Sequence, residues 1–428
     1  MDDTMNKMGD ALLLRFKGIN PLFSNARYRD LNVQNLCSGL AAAFLLYIIL
    51  LVIYRLYLSP IAAFPGPKLA AATEWYELYY HLIKDGQFGR KVERMHEKYG
   101  PIVRISPWEL SIRDSSFYNQ IYVAGSTRRA DMWARGRKRN GSQDSLHLSV
   151  PHGLHRQRRK HLEAFFSRQN IDCIEKVIAD EAQLLDSRLQ KFKGTGTAVH
   201  IDHAFTALTG DVIGRITCGT HPGFVEDVDF SPGWHELIIK TVLAGPSFRC
   251  FTWLNRLLQL VPCSILQRLY PKGTSNLMVG SMGAQYIEKI KEQIQNGNLD
   301  PSDSSKSVFH HLRTSDIPES EKSTARLQAE SMIFLISGAV TSAHTLSMIV
   351  YHLLSNPHME KRLREDLKDA MACYPAQNPL WSDLEKIPYL KACIKEALRL
   401  NGLVGNIARC SPGVEVQYKK WIIPRNVF

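Results

Sequence analysis

Residues 323–357 read STARLQAESMIFLISGAVTSAHTLSMIVYHLLSNP, and the rest of the chain is organised around them. Apolar residues recur at helical spacing: Met332, Leu335, Ile336, Ala339, Ala343, Leu346, Ile349 and Leu353. Ser323 suits an N-cap, and Asn356-Pro357 is a stop. The spacing predicts one helix of roughly 45–50 Å at about 1.5 Å per residue, enough to cross a domain. Being apolar on most faces, it must be buried on most sides. Its middle, Ser337-Gly338-Ala339-Val340-Thr341-Ser342, breaks that character. Gly338 costs about 1 kcal/mol of helix stability against Ala, so it needs a reason. One reason is a packing notch, with the hydroxyls of Thr341 and Ser342 bonded to carbonyls one turn back. The other is an opening where a flat or bulky ligand approaches the backbone and meets those hydroxyls.

The chain has 428 residues, which implies one large domain or two smaller ones. A hydrophobic fraction of 45% and a charged fraction of 22% are ordinary for a globular protein. The net charge of +12 suits an acidic partner surface, an anionic membrane or nucleic acid. Cys37, Cys173, Cys218, Cys250, Cys263, Cys373, Cys393 and Cys410 are scattered with no CxxC pair. Neither a zinc site nor a disulfide framework is indicated, and a reducing compartment fits.

Leu36–Ile53 is a run of 18 residues without a charge, LCSGLAAAFLLYIILLVI. With Tyr54, Tyr57 and Leu58 it is long enough to span a bilayer, and the tyrosines and Arg55 suit the interface. It begins too late for an ordinary cleaved signal peptide, and a buried core helix is the alternative. Residues 1–35 hold five basic and four acidic residues, so local charge does not orient the span. Residues 59–67, SPIAAFPGP, carry three prolines and a glycine and predict a stiff connector.

Trp75–Tyr99 reads as one helix, and residues 102–112 as a short hairpin around a Pro-containing turn. Helical patterns dominate afterwards, with short strands expected at Ala198–Ile201 and Val414–Ile423. The fold class is therefore mainly α with small β portions, without internal repeats.

Residues 152–161, HGLHRQRRKH, are strongly basic. On a helix His155 and Arg159 share a face and could meet a carboxylate or phosphate; a solvated basic face is the plainer reading. A nucleic-acid patch would need interleaved aromatics and a wider basic surface, so no nucleic acid is expected. Residues 234–270 are rich in Trp, Phe and Leu and predict short packed helices or an apolar lid. Ile387–Leu400 predicts a helix in which Glu396 and Arg399 stand at i,i+3, ordinarily a weak surface pair.

Other chemistries find no support. His235-Glu236 is followed by Ile239 where a zinc protease helix needs its second His. Gly194-Thr195-Gly196 lacks the third glycine and the strand–helix context of a dinucleotide site. No nucleophile elbow occurs.

In order along the chain, the motifs resemble those of membrane-anchored cytochromes P450, haem-thiolate monooxygenases, and especially fungal ones of the trichodiene-oxygenase type. FPGPKLAA is similar to the family's Pro-rich hinge. HRQRRKHLEAFFS is similar to the helix whose WxxxR positions bind a haem propionate, with His155 in the Trp place and Arg159 in the Arg place. SGAVTS is similar to A-G-x-D/E-T-T, and Glu396-x-x-Arg399 to ExxR. Each motif is weak alone; four in order behind an anchor are specific.

The resemblance implies a polar segment over 1–35, a single transmembrane anchor over 36–58, a hinge over 59–67 and a cytochrome P450 domain over 68–428. It implies haem b, with Arg159, His155 and Arg409 on the propionates, and no other metal. Thr341, with Ser342, would help deliver protons to iron-bound oxygen, and Gly338 would leave room above the haem. Glu396 and Arg399 would be a structural pair packed under the haem. The 234–270 region would form the substrate roof. Implied partners are the endoplasmic reticulum membrane, with the main domain in the cytosol, and NADPH-cytochrome P450 reductase, a flavoprotein. The implied activity is hydroxylation of a hydrophobic small molecule, a terpenoid or other secondary metabolite.

Two departures stand out. Val340 occupies the family's acidic position, so a relay must run through water or Ser342. The family's ligand Cys lies in F-x-x-G-x-R-x-C-x-G, after a strand similar to Trp421–Phe428, where this chain stops, 29 residues past Arg399. Cys410 has the wrong glycine spacing and no preceding Phe-x-x-Gly. The expectation is therefore a product truncated before the ligand loop or an incomplete gene model; the alternative function is a non-catalytic relic or membrane-bound scaffold.

Overall fold

The computed structural model describes residues 33–122, 129–132, 142, 144–163, 165–243, 261, 265, 275–296, 307–400, 402 and 408–427. They fall into two compact units, 1–63 and 64–428. In the first, helix α1 (Val33–Ile53) continues through a π-helical turn at Tyr54–Leu58. Its run over Asn35–Leu58 has 24 residues, about 36 Å at 1.5 Å each, against a hydrocarbon core of about 30 Å. Leu40, Phe44, Leu45 and Leu50 are all exposed, so this helix is a candidate membrane span rather than a core helix.

The second unit is mostly helical. Helix α2 (Trp75–Leu82) and helix α3 (Phe88–Tyr99) occupy the stretch whose spacing predicts a single helix. The break lies at Asp85 (φ 48°) and Gly86 (φ 79°), whose left-handed backbone a continuous helix cannot absorb. Strands β1 (Ile102–Arg104) and β2 (Leu110–Ile112) form the expected antiparallel hairpin, with Val103 opposite Ser111. The end of the Pro-rich connector is stitched to it. Arg104 N–H donates to Pro65 O at 2.7 Å, and a Cβ on Gly66 would run into Arg104 O. Phe64 stacks on Trp421 at 4.8 Å. Phe64–Gly66 is thus packed structure, not free linker.

Strand β3 (Asp131–Met132) precedes helix α4 (His152–Glu163), helix α5 (Arg168–Gln190) and helix α6 (Ile201–Cys218). Residues 198–200 are irregular and Ile201 opens α6, so the expected strand at Ala198–Ile201 does not form. Helix α7 (Pro232–Leu243), helix α8 (Ser275–Gln295) and helix α9 (Val308–Thr314) then lead to helix α10 (Thr324–Ser355). The 32 residues of α10 match the stretch that opened the sequence analysis, although the Ser323 hydroxyl donates to Ser320 O and does not cap the helix.

Helix α10 is the axis of this unit. Leu327, Met332, Leu335, Ala339 and Ala343 are buried, and α6, α8 and α7 pack along it. One core cluster joins Leu162, Phe165, Ile216, Ile287, Phe309 and Leu327. A second joins Trp234, Ile238, Val279, Met332, Leu335 and Ala339. Helix α11 (Pro357–Leu367) and helix α12 (Pro388–Leu400) follow. Strand β4 (Arg409–Cys410) returns to pair antiparallel with β3, placing Met132 opposite Arg409. The strand expected over Val414–Ile423 is instead a hairpin, β5 (Val416–Tyr418) and β6 (Trp421–Ile423), turned at Lys419 with φ 51°.

Candidate functional site

The middle of α10 shows its small residues in helix packing. Gly338 lies at the crossing with α6: a Cβ there would sit 2.7 Å from Ile213 Cγ1 and 3.1 Å from its Cβ. Thr209 of α6 donates to Ala339 O at 2.9 Å in the same crossing. The side that Gly338 leaves open is therefore filled by Ile213, and close helix packing accounts for the glycine. Val340, at the family's acidic position, packs against the Trp234–Ile238 cluster.

The hydroxyls lie on another face. Ser337, Thr341 and Thr345 stand at i,i+4 spacing. Thr341 Oγ1 donates to Ser337 O at 2.6 Å, Thr345 Oγ1 to Thr341 O at 2.9 Å, and Ser337 Oγ to Ile333 O. Ser337 and Ser342 are exposed and Thr341 half-buried. Each back-bonded hydroxyl has spent its proton on a carbonyl and keeps lone pairs that accept from the open side.

The basic stretch of α4 divides between two roles. Arg159 is exposed at 65%, with Glu163 Oε1 3.7 Å from its Nε. Its neighbour Arg158 is buried. Arg158 donates from Nε to Glu321 Oε2 at 2.9 Å, from Nη2 to Glu321 Oε1 at 3.0 Å, and from Nη1 to Asp144 O and Ser149 Oγ. Arg326 donates from Nε to the same Glu321 and from Nη1 to Glu330, which also accepts from Leu146 N–H. Two arginines and two carboxylates thus tie α4 and the 144–149 loop to the start of α10. Sequence reasoning missed this network. The available signal was Arg326-x-x-x-Glu330, an i,i+4 charged pair inside an otherwise apolar helix.

His155 lies where Arg409 meets α4. His152 N–H donates to Asp131 Oδ1 at 2.9 Å, which fastens the start of α4 to β3, and Arg409 is paired beside it in β4. Burial pushes the His155 pKa below its usual value, and the charges of Arg409, Arg159 and His152 push it the same way. His155, Arg159 and Arg409 therefore share one neighbourhood, with the carboxylates of Asp131 and Glu163 beside it. Among the described residues no hydrogen bond or ion pair joins these three to the Thr341 face of α10.

Cys410 is buried in the β3–β4 ladder. Burial raises its thiol pKa, nearby Asp131 adds to the effect, and Arg409 opposes it, leaving about 11. At neutral pH it is a core thiol, not a thiolate.

Glu396 and Arg399 pair through two bonds, Nε to Oε2 at 2.7 Å and Nη2 to Oε1 at 2.6 Å. The side chains are 51% and 67% exposed, so the pair is preformed but sits at the surface rather than packed. The hydrogen bond from Arg399 lowers the Glu396 pKa. Of the 234–270 region, only Trp234–Leu243 and residues 261 and 265 lie within the described residues. There Trp234 donates to Thr206 O at 3.2 Å, stacks on Phe224 at 4.6 Å, and serves the core. The rest of the expected roof lies outside the described residues.

A sequence model of the cytochrome P450 family matches residues 69–417. The chain is 41% identical over 416 residues to the cytochrome P450 monooxygenase tndB of Aspergillus flavipes, covering 93% of this chain and 86% of that protein. It is 43% identical over 405 residues to the cytochrome P450 monooxygenase oblB of Cochliobolus heterostrophus, covering 93% and 76%. It is 38% identical over 404 residues to the fusicoccadiene C-8 hydroxylase of Phomopsis amygdali, covering 92% and 76%. With the helical fold built on α10 and these similarities, the chain belongs to the cytochrome P450 monooxygenase family.

Proposed function

We propose that this chain hydroxylates a hydrophobic terpenoid, a secondary metabolite, from the face of the endoplasmic reticulum membrane. In this reading residues 36–58 anchor it, 59–67 are the hinge, and the main domain faces the cytosol. The observation that carries the reading is the gathering of His155, Arg159 and Arg409 by α4 and the β3–β4 ladder. The two arginines would hold the propionates of haem b, and the half-buried His155 would offer a ring N–H to them.

Haem, when bound, supplies the oxygen chemistry, with electrons from NADPH through a flavoprotein reductase whose acidic face suits a chain of net charge +12. Thr341 Oγ1 holds its proton on Ser337 O and accepts a water on its open side. Ser342, exposed on the next residue, extends that water chain. Val340 is apolar and packed, so protons travel by hydroxyl and water rather than by a carboxylate. A relative named as a fusicoccadiene C-8 hydroxylase supports an apolar hydrocarbon as the substrate class.

The test is co-expression of the full chain with a reductase in microsomes, supplied with fusicoccadiene, NADPH and labelled O2. Label in a hydroxylated product, lost in Thr341→Val and kept in Thr341→Ser, is the expected result. A membrane-bound chain that retains no haem and yields no labelled product would refute the reading and leave a non-catalytic role.

A further inference from the structure

Three imidazoles and a carboxylate gather where the N-terminus of α6 meets α7, on residues that no part of the proposed haem site uses. His200 and His203 stack with ring centroids 4.8 Å apart, and His203 lies 4.6 Å from His235 of α7. The ligand atoms of His200, Asp202 and His203 all fall within 4.8 Å of one another. His235 Nε2 lies 3.5 Å from Asp202 Oδ2.

The hydrogen bonds fix which nitrogen of His235 faces the cluster. Thr206 Oγ1 donates to Asp202 O at 2.7 Å, so its single proton is spent on a carbonyl. The contact of 2.9 Å between Thr206 Oγ1 and His235 Nδ1 must then run from the ring N–H to the hydroxyl oxygen. Nδ1 carries a proton and Nε2 is turned to Asp202. In the neutral ring the Nε2 lone pair faces a carboxylate oxygen, two acceptors against each other, and either a second ring proton or a cation bound between them resolves the clash.

We propose that His200, Asp202, His203 and His235 bind one divalent transition-metal ion of the zinc class. Three imidazole nitrogens and one carboxylate oxygen are a borderline donor set that suits zinc, nickel or copper and disfavours magnesium or calcium. Ligands about 2.0–2.1 Å from a tetrahedral zinc lie roughly 3.3–3.5 Å from one another. The Asp202–His235 separation is already there, and rotation of the exposed His200 and of His203 closes the remainder. The positive end of the α6 dipole works against a cation, and the Asp202 carboxylate offsets it. Thr206 is a positioning residue: its hydroxyl orients His235, as outer-shell groups orient ligating imidazoles. Glu236 is nearby but is engaged by Lys240. The ion would staple α6 to α7, the helix whose Trp234 and Ile238 pack on α10.

The experiment uses the purified full chain in detergent, stripped with a chelator and dialysed against Zn2+, with bound metal counted by mass spectrometry. One tightly held Zn2+ per chain is expected, with Co2+ giving a tetrahedral visible spectrum. Thr206→Val weakens binding about tenfold. His203→Gln with His235→Gln abolishes it, while His358→Gln does not. If the double variant fails to fold by circular dichroism, His200→Gln decides, since its ring is exposed. Unchanged Zn2+ stoichiometry in the folded variants would overturn the proposal. So would absence of tight binding by the parent chain, which would leave His235 and Asp202 as an ion pair only.

Discussion

Arg158 grips Glu321 with two nitrogens at 2.9 and 3.0 Å, and joins α4 to the start of α10 across 163 residues of sequence. Glu321 also accepts from Arg326, and Arg326 from its other end holds Glu330. Two positive and two negative side chains balance, which is what lets them stay buried. Removing one leaves an uncompensated charge. Arg158→Ala is expected to cost about 3–5 kcal/mol of stability. Arg159→Ala, one residue on and exposed, is expected to cost less than about 1 kcal/mol. Urea unfolding of the two variants side by side checks the contrast, and equal losses would sink it.

The same network sets an acid limit. Burial alone would raise the Glu321 pKa, but hydrogen bonds from Arg158 and Arg326, and their charges, outweigh it and leave the pKa lowered. A carboxylate with a depressed folded-state pKa stabilises the fold above its unfolded pKa, near about 4.3. That stabilisation is lost as pH falls through the lower folded value. Thermal stability should therefore fall steeply below about pH 4.3, and Glu321→Gln should be less stable at neutral pH and less sensitive to acid. Parallel slopes for parent and variant between neutral and acid pH would exclude this role for Glu321.

Gly338→Ala sets helix propensity against packing. Alanine gains about 1 kcal/mol of propensity. Its Cβ would lie 2.7 Å from Ile213 Cγ1 and 3.1 Å from Ile213 Cβ, an atom no rotamer can move away. Overpacking of this kind costs about 1–3 kcal/mol, so a net loss is expected. Ile213→Ala removes Cγ1 and Cδ1 but keeps Cβ, so it should recover only part of the Gly338→Ala penalty, and a double-mutant cycle measures the coupling. Additive losses would place the alanine methyl somewhere other than the α6 crossing.

The period of 323–357 gave the helix to within a residue, although its burial ends at Ala343 and Tyr351 and Leu354 are exposed, so it is not buried on most sides along its whole length. Turn chemistry was harder. Asp85-Gly86 breaks Trp75–Tyr99 through left-handed backbone, and Lys419 turns Val414–Ile423 into a hairpin; neither alters the apolar pattern. The site was legible in residue type and not in direction. Arg158 and Arg159 are neighbours in one basic run, yet one is buried against Glu321 and the other points to solvent. A helix turns about 100° per residue, and the partner that selects Arg158 lies far along the chain. The His200–His235 cluster was missed because its fourth member comes from a different helix.

Cys410 tests the chemistry of the site from the negative side. Its thiol, held at about 11 chiefly by burial, stays protonated at neutral pH and belongs to the β3–β4 ladder. Cys410→Ser should leave the haem absorption spectrum of the reconstituted chain unchanged and cost a modest amount of stability. A shift or loss of the haem band in this variant would make Cys410 a ligand.

Arg159 and Arg409 carry the opposite expectation. Arg159 is exposed, with Glu163 as an ion-pair partner at 3.7 Å, a separation too long for a strong bond. A propionate is a better partner, since charge-assisted hydrogen bonds contribute about 1.5–3 kcal/mol. Arg159→Ala or Arg409→Ala should then weaken haem retention roughly 10- to 100-fold, at 1.4 kcal/mol per tenfold. Circular dichroism should show the fold intact, because neither side chain belongs to the core. Glu163→Gln frees Arg159 from its weak partner and should not weaken retention. If Arg159→Ala holds haem as well as the parent while Arg158→Ala loses it, the determinant is the buried network that positions α4, and the propionate role passes from Arg159.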